Sequence, residues 1–134
     1  MAVVCFLGYQ FYKFSNIYAS GAKFAEESVS QIGQTWDYET LLKNSHSYLI
    51  TNQGEQLKLT FENLKGHLGP ISKIKSVEGS LSVDSDIDGI QGEYIVESSF
   101  LNDNAKIIIN AINEHSVWSI LSFQIKSKGI DRKI

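Results

Sequence analysis

A single cysteine, Cys5, excludes any internal disulfide in this chain of 134 residues. Its stability must come from a packed core. The roughly 110 residues beyond residue 22 suffice for one domain that buries about two-thirds of its unfolded surface. Proline is equally scarce, with Pro70 alone, so Pro-rich linkers and polyproline segments are excluded. Basic residues number 12 against 15 acidic ones. Without Lys13, the only charge before residue 23, 11 basic residues face those 15, net −4. That balance gives no electrostatic reason to bind nucleic acid. Repeats, low-complexity tracts and a second domain boundary are missing as well.

Catalytic and metal signatures are also missing. No G-x-S-x-G motif is present, and the only Cys lies in an apolar stretch. The 3 histidines, His46, His67 and His115, are too far apart for a zinc-type H-x-x-x-H pair. All three read as exposed polar residues, with His46 in mid-helix, His67 at a helix C-terminus and His115 in a turn. Asp84, Asp86, Asp88 and Gly89 match the first half of an EF-hand loop. The match then fails, because Ile95 stands where the bidentate Glu belongs and strands replace the flanking helices. The loop reads as a solvated hairpin turn. No metal site and no cofactor are expected.

The N-terminus is uncharged and apolar in character. Residues 2–12 read AVVCFLGYQFY, and after Lys13 comes FSNIYASGA. Three readings compete: an uncleaved membrane anchor, a signal peptide, or a segment packed in the core. Spanning a bilayer takes about 20 residues, which requires counting through Lys13 to Ala22. Tyr9, Tyr12 and Tyr18 suit an interfacial belt. Ser20-Gly21-Ala22 offers the small residues a signal peptidase reads, but no basic residue precedes the apolar run. The anchor is the favoured reading, with residues 1–22 as the apolar segment, 23–128 as one α+β domain and 129–134 as a frayed basic tail.

Helical spacing follows. Phe24 or Ala25, Val29, Ile32 and Trp36 share a face. Asp37 is placed to cap a second helix over 38–50, with Tyr38, Leu41, Leu42, Tyr48 and Leu49 as its apolar side. Thr51 or Asn52 then caps a third helix to about His67, with Leu57, Phe61, Leu64 and Leu68 as its stripe. Gly69-Pro70 ends it. Beyond residue 73 the period becomes that of strands: 73–83, 92–101, 105–112 and 117–127. Asn102-Asp103-Asn104 and Asn113-Glu114-His115-Ser116 supply turns, so the last three strands form an antiparallel meander. Ile107-Ile108-Ile109 is apolar on both faces, as in an interior strand covered by helices. Trp36 and Trp118 read as core anchors.

Further local patterns add to this layout. They are Ile32-x-x-x-Trp36-Asp37 with Leu41-Leu42, Phe61 with Leu68-Gly69, and Tyr94 with Phe100 and Ala105-x-Ile107. Trp118-x-Ile120-x-x-Phe123-x-Ile125-x-Ser127 closes the series. On these residues, over about 24–127, the chain resembles a group of uncharacterised bacterial membrane-tethered proteins of the nuclear transport factor 2-like, cystatin-like fold. The resemblance implies three helices on a four-stranded antiparallel sheet, cone-shaped, behind an N-terminal anchor. It carries no activity. The fold implies a pocket between sheet and helices, where ketosteroid isomerase-like members use a Tyr and carboxylic acids.

Tyr38 and Tyr94 are the expected pocket residues, with Asp37 and Glu97 beside them. Alternation along the strand turns Glu97 away from Tyr94. The expected function is therefore non-catalytic: a membrane-anchored domain facing the periplasm or cell exterior that binds a small ligand or protein partner. A pocket isomerase, or a module forming a homodimer through its sheet, is the alternative.

Overall fold

The computed structural model describes residues 2–83, 89–127 and 130–133, and side chains from residue 16 to 127 save positions 48, 50–55, 57 and 84–88. The chain is α+β. Helix α1 (Ala2–Thr35), α2 (Tyr38–Lys43) and α3 (Ser47–Leu68) precede an antiparallel sheet. Its strands are β1 (Ile71–Val83), β2 (Ile90–Phe100), β3 (Asn104–Glu114), β4 (Val117–Ser127) and β5 (Ile130–Lys133), paired in sequence order. The four expected strands form. The short β5, pairing with β4 from Gln124 to Ser127, occupies residues expected to be a frayed tail.

α1 is one uninterrupted helix through the composition change near residue 22. Among the described residues no helix is long and apolar enough to cross a membrane. Ala25, Val29 and Ile32 are fully buried on one face, as their spacing predicts. The helix ends at Trp36, whose N–H donates to the Ile32 carbonyl at 2.8 Å and whose φ is 53°. This is the left-handed C-terminal cap, a place usually given to glycine. An L-residue there costs about 1–2 kcal/mol. The Trp36 side chain offsets that cost. Its ring lies 5.3 Å from Phe100 and 5.6 Å edge-on from Phe61 between centroids, and its Nε1 donates to the Gly69 carbonyl at 2.7 Å.

Asp37 caps α2 as expected, accepting from the Glu39 N–H at 3.0 Å. The helix expected to continue to residue 50 stops at Lys43. The backbone instead bridges to β4: the Ile120 N–H donates to Asn44 O at 2.7 Å, and the His46 N–H donates to Ile120 O at 2.8 Å. Asn44 and Ser45 side chains donate back to Thr40 O and Leu41 O, drawing the chain out of helix. α3 therefore starts at Ser47 and not at Thr51 or Asn52. Phe61, Leu64 and Leu68 form its buried stripe; Leu57 lies outside the described side chains. Gly69, at φ 72°, closes α3, and the β2–β3 hairpin completes the cap, with Asn102 N–H donating to Leu68 O at 3.0 Å.

Inner-face residues Tyr94, Val96, Phe100, Ile107, Ile109, Ala111, Ile120, Phe123 and Ile125 meet the helices and are buried. The β3–β4 turn is a two-residue loop, His115-Ser116, with φ of 53° and 68° at the two positions, the left-handed pair a tight hairpin needs. The expectation that helices cover both faces of β3 does not hold. The helices contact one face, and Ile108 lies outward and half-buried, directly opposite Ile95. Cross-strand contact between these two side chains replaces helical cover.

Candidate functional site

Tyr94 sits on the inner face near the middle of β2, at the heart of the expected pocket, and its own ring takes up the space. Three glycines make that room. A Cβ on Gly79, its cross-strand neighbour, would lie 2.5 Å from the ring, one on Gly92 also 2.5 Å, and one on Gly21 of α1 2.1 Å from the hydroxyl. The hydroxyl donates to the Tyr18 carbonyl at 3.1 Å instead of reaching solvent. Trp118, half-buried and not a full core anchor, stands edge-on to Tyr94 at 6.1 Å and stacks with Phe24 at 6.4 Å. Its Nε1 donates to Ser20 Oγ at 3.0 Å. The small residues Ser20-Gly21-Ala22 are thus a notch through which α1 rests on two aromatic rings. Among the described side chains, packing of α1 on the sheet reaches back to Tyr18, ahead of the boundary expected after residue 22.

Burial, and after it the neighbouring Tyr18, pushes the Tyr94 phenol up to about 12. Such a phenol stays protonated and serves as a hydrogen-bond donor. Glu93 and Glu97 point away from it on the outer face, as alternation requires. Asp37 is occupied as a helix cap. Tyr38 follows the far end of α1, about 20 Å along the helix from Gly21 by its rise per residue, with Lys58 Nζ 5.7 Å from its ring centre. Tyr38 and Tyr94 are therefore not brought together. Besides the Tyr94 phenol and the Trp36 indole, Ser28 and Ser98 are buried among the described residues.

His46 is half-buried in the α2–α3 break, 3.0 Å from Glu114 Oε1, so it is neither mid-helix nor fully exposed. His67 and His115 are exposed. Among the described residues no group of His, Cys, Asp or Glu is arranged to hold a metal. Asp84, Asp86 and Asp88, expected in a hairpin turn, and the side chain of Cys5 lie outside the described residues.

The surface offers two other features. A cleft of about 250 Å³ is lined by Lys75, Glu97, Ser98, Asn104, Lys106 and Lys126, among others. Glu97 and Lys106, cross-strand partners, lie 3.7 Å apart there. An exposed pair of this kind contributes little. The second feature is the sheet's edges. The β4 edge is covered by the Asn44–His46 bridge and by β5. At the other side, β1 is the outermost strand of the sheet. Sequence reasoning missed this contrast because covering an edge is a tertiary event. Comparison with protein-family models, curated proteins and solved structures finds no match.

Proposed function

We propose that this chain is a non-catalytic interaction domain held at a membrane, outside the cytoplasm, by its apolar N-terminal helix. In this reading it is a member of the cone-shaped, nuclear transport factor 2-like group whose interior is closed. The observation that carries the proposal is the filled interior around Tyr94. The ring occupies the position of a ligand, and the hydroxyl is satisfied within the fold. Recognition then falls to the surface, which favours a protein partner over a small molecule. Continuity of α1 supports the tether: the helix that carries the apolar residues 2–12 also carries Ala25, Val29 and Ile32 into the core. An amphipathic or apolar helix of this kind attaches a domain without needing a separate linker.

Vesicle flotation tests the reading. The full chain should float with phosphatidylcholine vesicles. Residues 16–134, keeping the Tyr18 and Ser20 contacts, should fold and remain in the dense fraction. Equal behaviour of the two would contradict the tether.

A further inference from the structure

We propose that the outer edge of β1 pairs antiparallel with β1 of a second copy of this chain, so that two sheets become one. The inference rests on reading the domain as an interaction module and supplies its partner.

β1 has 13 residues and two unlike halves. Its first half has irregular register against β2, between Ile71 and Lys73 and again between Ile74 and Ser76, and it carries Lys73 and Lys75. Bulges and lysines are the devices that keep a sheet edge from pairing. The second half, Val77 to Val83, runs in unbroken register against Val96 to Ile90. It holds no proline, no lysine or arginine, and a single charge, Glu78. Among the described residues, no backbone bond outside the β1–β2 ladder is made by these seven positions. An edge protected over one half and regular over the other presents a defined segment for strand addition.

Self-pairing is selected by register. Placing Ser80 on the two-fold axis sets Gly79 opposite Leu81, Glu78 opposite Ser82 and Val77 opposite Val83. Each pair lies on one face, since Glu78, Ser80 and Ser82 point outward and Val77, Gly79 and Leu81 meet the core. The axis on Ser80 keeps the two Glu78 carboxylates roughly 14 Å apart along the strands. An axis on Glu78 itself would set like charges directly opposite, which is destabilising. Val83, 66% exposed in one chain, gains the cross-strand cover of Val77 from the other.

Cysteine cross-linking in the full chain, bound to vesicles and in a Cys5→Ser background, reads this register. Across the axis, Ser80 meets its own copy at a Cα separation of about 4.5–5.5 Å, within disulfide reach. Ser80→Cys should form a covalent dimer under mild oxidation. Glu78→Cys alone and Ser82→Cys alone should form it at least about tenfold more slowly, because their like positions lie beyond the roughly 7 Å limit. A mixture of Glu78→Cys and Ser82→Cys should cross-link readily. Ser80→Lys, an exposed change that sets two lysines face to face, should shift sedimentation equilibrium of the full chain in detergent toward monomer. Uniform cross-linking, a maximum at another position, or a native chain that sediments as a monomer at all concentrations would each overturn the pairing. A chain that floats with vesicles yet stays monomeric overturns the pairing alone; one that pairs as described but does not float overturns the tether alone.

Discussion

Replacing Trp36 separates two effects that act on one residue. The indole is 3% exposed and wedged between Phe61 and Phe100, so Trp36→Ala removes a large core side chain. Changes of that kind cost about 3–5 kcal/mol. The substitution also strips the donor from Gly69 O, part of the same loss. Alanine, however, keeps the left-handed strain at φ 53°. Glycine relieves it, and the relief is worth about 1 kcal/mol. Trp36→Gly should therefore be more stable than Trp36→Ala by about 1 kcal/mol, the reverse of the order found inside a helix. Trp36→Phe keeps a ring but leaves Gly69 O without its donor, a loss of about 1–3 kcal/mol. Urea unfolding followed by circular dichroism measures all three, provided the slopes agree. A cost for Trp36→Ala below about 1 kcal/mol would refute the anchor. A glycine variant less stable than the alanine variant would refute the strained cap.

Glycine-to-alanine changes should differ in sign. Gly21→Ala drives a Cβ to 2.1 Å from the Tyr94 hydroxyl and should cost about 1–3 kcal/mol despite better helix propensity. Gly66→Ala on α3 meets nothing within 4 Å and should gain about 0.5–1 kcal/mol; thermal unfolding of both variants checks the contrast. The folded state holds the Tyr94 proton more tightly than the unfolded state, whose phenol titrates near 10.0, so stability is lost as pH rises from about 10 to about 12. Tyr94→Phe should flatten that fall in a pH series of urea midpoints, and an unchanged slope would argue against burial of the phenol. Asp84, Asp86 and Asp88 have Ile95 where an EF-hand places its clamp residue, so calcium should bind no tighter than about a millimolar. Titration calorimetry with Asp86→Asn as control decides this, and micromolar binding lost in the variant would contradict it.

Period and caps made much of the fold legible. β4 occupies the residues its alternation marks, Val117 to Ser127, and Asp37 caps the helix it was expected to cap. The α2–α3 break was not legible, because Asn44 and His46 leave the helix to bond Ile120, a residue more than seventy positions away in the chain. Continuity of α1 was hidden by composition. A shift from apolar to charged residues reads as a boundary, yet backbone hydrogen bonding runs through it. Ser20-Gly21-Ala22 shows the same ambiguity, since small residues fit both a cleavage motif and a notch for aromatic rings. The left-handed cap at Trp36 and the covering of the β4 edge depend on partners distant in sequence, so no local pattern announces them. Tyr94, expected to line a pocket, is fully buried, and its neighbours Gly21, Gly79 and Gly92 signal a filled space and not an open one.

Hydrogen exchange along α1 in the full chain bears most directly on whether the N-terminal helix and the sheet are one body. Tyr18 and Ser20 are bonded to Tyr94 and Trp118 on the sheet. Amides of residues 18–35 should therefore exchange as one protected unit, with protection close to that of β2 and β3. Tyr94→Phe combined with Trp118→Phe should loosen residues 18–24 first. Protection that begins only after residue 23, with 18–22 exchanging freely, would contradict the locked helix and set the N-terminal segment apart from the domain.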